Sequence, residues 1–345
     1  MKRLNWRTFF LGIICSSRAL AANPVALSGA GATFPYPLYS KWFSEFEKVN
    51  SGVRINYQSI GSGGGIRQFT EGTVDFGASD APMTDEQLAK VSNPVVHIPT
   101  VLGAVAIVYN VPGVPSGLKL SPDVVADLFL GKIKQWDDQR LTKLNPDRKL
   151  PGTPVVLAYR SDGSGTTSIT TEYLSKVSTE WKDKVGTGTA VRWPQGLGAK
   201  GNEGVAGLVK QTPGTLGYVE LVYAENNALT YAALGNKAGS FVVPSIASVS
   251  AAAAESVKII PEDFRVSITN AEGKDSYPIS SFTYILVHQN LSGPKGEGLQ
   301  KFLSWAVKEG QALAPKLTYA PLPDAIAKKA LAKIAALKVS AKASH

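Results

Sequence analysis

Apolar and polar positions along the chain follow two rhythms, and the elements change with them. "YPLYSKWFSEFEKVN" places Leu38, Trp42, Phe46 and Val49 at helical spacing, which predicts an amphipathic helix. "VRINYQSIG" then reads as a strand, "GGGIRQFTEG" as the start of a helix and "VDFGASD" as a second strand. "HIPTVLGAVAIVYN" is a long apolar run and reads as a buried strand. "SPDVVADLFLG" predicts a helix with Ser121 as its cap and Pro122 at its first position. The strand "PVVLAYR" leads into a helix through "TTSITTEYLSKV". "LGYVELVYA" and "FTYILVH" are apolar, and "KGEGLQKFLSWAVKEG" is helical. The tail "AIAKKALAKIAALKVSAKASH" is rich in alanine and lysine and is expected to be helical before it frays. Strands alternating with helices predict an α/β fold with largely parallel sheets. No internal repeat interrupts the alternation.

The first residues stand outside this pattern. Basic Lys2, Arg3 and Arg7 precede an apolar run from Phe9 to Cys15, and "ALA" at 19–21 offers small residues for cleavage. Residues 1–21 are therefore expected to be a secretory signal peptide, with cleavage after Ala21 or Ala22. Cys15 follows two isoleucines, which does not fit a lipid-anchoring signal. Loss of this segment would remove four of the 36 basic residues and none of the 27 acidic ones, taking the formal charge from +9 to +5. It would also remove the single cysteine, leaving a thiol-free chain suited to an oxidising compartment. A mildly positive protein suits a small anion. No basic stripe interleaved with aromatics is present, so nucleic acid is not expected as a partner.

Four stretches repeat one local arrangement, a strand end followed by glycine or hydroxyl residues and a helix start. They are "GAGATFP" at 29–35, "GSGGG" at 61–65, "ASDAP" at 78–82 and "RSDGSGTT" at 160–167. A helix start presents unpaired N–H groups and a partial positive charge, which together can hold an anion without a metal. Glycines such as Gly63 let backbone approach a ligand closely. Ser62, Ser164 and Thr166 can donate hydroxyl protons, and Arg160 offers a planar fork that matches two oxygens. Asp162, two residues on, is placed to orient that guanidinium. Taken singly, each stretch reads more readily as a turn or a cap than as a ligand contact. Four of them in one exported α/β chain point to an oxyanion.

These stretches, together with "FLGKIKQWDD", "WPQGLGAKGNEGVAGLV" and "PGTLGYVE", resemble the periplasmic phosphate-binding protein of the high-affinity phosphate ABC transporter. The resemblance runs from about Leu27 to Leu322. It implies a two-lobed periplasmic-binding-protein fold of the venus-flytrap, type II kind, with a central mixed sheet in each lobe. It also implies inorganic phosphate in the cleft, a membrane permease as partner, a periplasmic location and a monomer, with no cofactor and no metal. Carried over position by position, the phosphate contacts would be Thr33 and Phe34 from the first loop, Ser62 from the second and Asp80 from the third. Arg160, Ser164, Gly165 and Thr166 would come from the second lobe, with Gly63 and Asp162 in support. Gly63 departs from the family pattern, where a serine is common. The lobes are expected to be discontinuous: 22–100 with 284–345 in the first and 101–283 in the second. The crossovers would lie in "HIPTVLG" and "SFTYILV".

An aspartate in an anion site has its own logic. Phosphate near neutral pH keeps a proton that Asp80 can accept, and arsenate does the same. Sulfate keeps none, so lone pairs would face lone pairs at a cost of roughly several kcal/mol. The rival functions are a secreted phosphatase built on Ser62 or Ser164 and a binder of sulfate, arsenate or molybdate. A serine nucleophile needs a base or a metal. Of the three histidines, His345 is terminal, and His97 and His288 lie in or beside apolar runs where a structural role is expected.

Overall fold

The computed structural model describes residues 24–341; the expected signal peptide lies outside them. The main elements, in chain order, are β1 (Val25–Gly31), α1 (Tyr36–Val49), β2 (Val53–Ser59), α2 (Ser62–Thr70) and β3 (Phe76–Ser79). They continue with β4 (Val95–Tyr109), β5 (Val156–Arg160), α3 (Gly165–Val177), β6 (Leu197–Ala199), α4 (Gly201–Gln211) and β7 (Thr215–Glu220). The last are β8 (Ser280–His288), α5 (Gly293–Val307) and α6 (Asp324–Ala335).

A nine-stranded sheet runs in the order β2-β1-β3-β8-β4-β7-β5-β6, with Thr230–Tyr231 joining β4. Its flanks are parallel, β1 with β2 and β3, and β5 with β6 and β7. Its centre is antiparallel, β8 with β3 and β4, and β4 with β7. The alternation of elements predicts largely parallel sheets, whereas the family resemblance implies mixed ones; the sheet is mixed, and the reason is topological. β4 and β8 run between the halves in opposite directions and pair with each other, so the centre cannot be parallel. Up to Ala104 β4 pairs with β8, and from Val105 it pairs with β7. All of β4 beyond Val95 is buried, as expected of a strand covered on both faces. Together these features make the two-lobed periplasmic-binding architecture, with one apolar core continuous through both halves.

The β4–β8 register shifts between Thr283 and Tyr284, where Val101 and Pro99 are the partners. Thr100 is thus the extra residue of a bulge, which bends the pair beside the cleft.

The helices follow their apolar faces. α1 carries Pro37 in its first turn and buries Leu38, Tyr39, Trp42, Phe43 and Phe46. The sequence predicts Val49 on this face too, but the helix ends there and Val49 is exposed. Beyond α6 the expected fraying is absent as far as the structure describes: Lys338–Ser340 pairs in parallel with Asn290–Ser292. Among the described residues no helix is long and apolar enough to cross a membrane.

Candidate functional site

Each of the four sequence stretches ends a strand of the parallel flanks, and their loops meet edge to edge. β1 ends at Gly31, where φ is +145° and an added Cβ would lie 2.0 Å from the Ala78 carbonyl oxygen. Only glycine lets the first and third loops approach so closely. The following Thr33 and Phe34 are buried, and their carbonyls are tied. Tyr223 Oη donates to the Thr33 oxygen and Tyr319 Oη to the Phe34 oxygen, each at 2.6 Å. The Phe34 ring packs on Gly103 of β4, whose added Cβ would meet Cζ at 2.6 Å.

Ser62 opens α2 and is fully buried. Its Oγ accepts the Asp80 N–H at 3.2 Å and lies 3.4 Å from Asp80 Oδ2. Asp80 Oδ1 accepts the Thr283 hydroxyl at 2.8 Å. The carboxyl is 2% exposed. Burial pushes its pKa up to about 7, against the opposing pull of the Thr283 hydrogen bond and the Arg160 charge.

From the other side, β5 delivers Arg160, 3% exposed. Its Nε and Nη2 donate to Asp162 Oδ1 and Oδ2 at 2.7 and 2.6 Å, a two-point pair that fixes the guanidinium plane. The pair holds the Asp162 carboxyl below the usual carboxylate range against its burial. Asp162 also accepts the Gly201 N–H at 3.1 Å, joining the arginine to the start of α4. Ser164 caps α3 by accepting the Thr167 N–H at 3.0 Å. The first-turn N–H groups of Gly165 and Thr166 have no acceptor within the helix by construction.

The two sides touch through glycine. A Cβ on Gly165 would lie 2.3 Å from Asp80 Oδ2 and 2.4 Å from Ser62 Oγ. Gly63 donates its N–H to the Gly163 oxygen at 2.9 Å, and the Gly63 Cβ position is 3.1 Å from Gly163 Cα. A serine at 63 would sit at the limit of that contact, so the glycine favours close apposition of the loops.

The comparisons with known proteins agree. Residues 19–309 match the PBP superfamily domain. The phosphate-binding protein PstS of Pasteurella multocida is 46% identical over 325 residues, covering 94% of each chain. That of Haemophilus influenzae is 44% identical over 325 residues, covering 94% of this chain and 95% of its own. The chain belongs to the PstS family of phosphate-binding proteins. In fold it is similar to a phosphate-binding protein from Stenotrophomonas maltophilia at a TM-score of 0.67 and 21% identity, covering 89% of this chain and 93% of that one.

Relative to that family pattern, the structure gathers all eight carried-over positions and both supporting ones into one cluster. Their roles differ. Asp80, Arg160 and Thr166 turn polar atoms inward, Gly165 supplies close approach, and Ser164 spends its oxygen on a cap. Sequence reasoning missed Asn202 and Thr283. Asn202 lies within "GAKGNEGV", a strand end, a glycine and a helix start, which is the signature that flagged the other four stretches. Gly201 there has φ of +72°. Thr283 gave no signal, because a threonine in "SFTYILV" is an ordinary strand former.

Proposed function

We propose that this chain binds inorganic phosphate between its lobes and hands it to the membrane permease of an ABC transporter. The observation that carries the reading is Asp80: one carboxylate, buried among hydroxyls, helix-start amides and a guanidinium. Such a group is out of place opposite a fully ionised oxyanion and well placed opposite one that keeps a proton. The relatives named for phosphate binding support the same reading.

Thr33, Phe34, Ser62, Asp80, Arg160, Ser164, Gly165 and Thr166 would contact the anion, with Gly63 and Asp162 shaping the walls. The lobes would be 22–100 with 284–345 and 101–283, turning on β4 and β8. The bulge at Thr100 supports a bend there. The chain would work in the periplasm as a monomer after loss of residues 1–21.

It would perform no chemistry on its guest. His97 Nε2 accepts the Met83 N–H at 3.0 Å, and His288 stacks on Phe69 with ring centroids 4.4 Å apart. Burial holds the His97 pKa down at about 4. Neither ring hydrogen-bonds to Ser62 or Ser164, whose oxygens pair with Asp80 and with the Thr167 N–H instead.

Calorimetry on the dialysed chain should give a phosphate Kd of about a micromolar or tighter. Arsenate should compete and sulfate should not. Sulfate binding as tight as phosphate would overturn the assignment, and sustained turnover of p-nitrophenyl phosphate by the pure chain would favour a phosphatase.

A further inference from the structure

We infer that Asn202 is the positioning residue that makes Thr33 and Thr166 pure hydrogen-bond donors, coupling anion capture to lobe closure. The inference rests on the anion-binding reading above.

Hydrogen-bond polarity fixes the network. The Glu220 N–H can only donate, so the Asn202 atom 3.1 Å from it is the amide oxygen. The other end of that amide is then an NH2 group, which can only donate. It lies 2.8 Å from Thr33 Oγ1 and 3.2 Å from Thr166 Oγ1. Each threonine oxygen has a second donor. Thr33 Oγ1 receives the Asn202 backbone N–H at 3.3 Å, and Thr166 Oγ1 faces Arg160 Nη1 at 3.4 Å. A hydroxyl accepts two hydrogen bonds and donates one. With both acceptor positions used, each threonine keeps only its O–H proton. Both residues are buried, at 2% and 0% exposure, so that proton needs a partner inside the protein. The anion oxygens supply it.

The same amide spans the cleft. Thr33 follows β1 on one flank of the sheet, whereas Thr166 and Asn202 open helices that follow β5 and β6 on the other. The Asn202–Thr33 bond therefore requires the lobes to be together. Closure sets the Thr33 proton toward the ligand, and the ligand rewards closure.

Two substitutions separate polarity from packing. Asn202→Asp keeps the shape but turns a donor into an acceptor, drawing both threonine protons away and adding charge beside an anion. Asn202→Ala removes the amide without reversing anything. A packing role ranks Ala as the worse change, and the polarity role ranks Asp as the worse. Calorimetry with inorganic phosphate on the full chain should show about a 10-fold loss for Asn202→Ala and about 100-fold or more for Asn202→Asp. Circular dichroism verifies that each variant is folded. An Asp variant that binds as well as the Ala variant overturns the proposal.

Should Asn202→Asp fail to fold, Asn202→Ala in a Thr33→Val background decides. The loss caused by Asn202→Ala should shrink at least about threefold there, and fully independent effects would overturn the coupling. A parent chain that binds no phosphate overturns the anion reading itself, an outcome distinct from either.

Discussion

The Asp80 carboxyl has two unlike oxygens. Oδ1 is held by Thr283, while Oδ2 faces Gly165 across the cleft with only a long contact to Ser62. On the proposed reading, Oδ2 is thus the atom that would accept a hydrogen bond from a ligand's O–H. Because burial raises the pKa to about 7, the folded chain holds a proton between about pH 4 and 7 that the unfolded chain has released. The Asp80 contribution to stability therefore falls as pH rises through that window, and the full penalty of ionisation is present above it. The melting temperature of the ligand-free parent, minus that of Asp80→Asn, should drop between about pH 4.5 and pH 8. His97, also displaced by burial, is common to the two proteins and cancels; Glu220 is raised mainly by its own burial, which cancels too, and in small part by the Asp80 charge, which the substitution removes. A flat difference would contradict the assignment. At Arg160, Lys keeps the charge but loses the fork that Asp162 aligns. Arg160→Lys should weaken phosphate binding by about 10- to 100-fold in a calorimetric titration, and a variant equal to the parent would remove the guanidinium from the site. These residues were legible because arginine, aspartate and hydroxyls beside glycine stand out after an apolar run. Asn202 was less so, since its importance lies in partners from three separate loops.

Among the elements, strand ends and helix starts were read well because the change of period and the glycines mark both. The antiparallel centre was not, since pairing of β4 with β8 joins segments more than 170 residues apart and leaves no local trace. The bulge was equally invisible, although it lies beside Thr283, whose hydroxyl donates to Asp80. Tyr39 Oη and Thr100 Oγ1 are 2.7 Å apart, and Thr100 donates to the Thr283 oxygen at 3.1 Å, so the bend is pinned from α1. Thr283→Val should leave Asp80 Oδ1 unpartnered and narrow the preference for phosphate over sulfate, whereas Thr283→Ser should keep it. Equal preference in both variants would deny the hydroxyl a role. At α3, Gly165→Ala would drive a methyl into Asp80 and Ser62. The variant should fold, yet its radius of gyration by X-ray scattering should not contract on adding phosphate, as the parent's should. Contraction equal to the parent's would show that the loops do not meet as described.

At the scale of the molecule, two flanks are joined by the paired strands β4 and β8, and the contacts between their loops are small and polar. About ten charge-assisted bonds at roughly 1.5–3 kcal/mol each would exceed the roughly 18–21 kcal/mol ceiling of non-covalent complexes. Desolvation of the anion and closure of the lobes must consume the surplus. On the proposed reading, specificity would depend less on the number of donors than on one acceptor placed among them. The most direct test is the ratio of sulfate to phosphate dissociation constants, measured by calorimetry at about pH 8.5, above the Asp80 pKa of about 7, for the parent and for Asp80→Asn. The account predicts a ratio that falls by about 100-fold or more in Asp80→Asn, because the amide can donate where the carboxylate could only accept. A ratio unchanged by the substitution would contradict it.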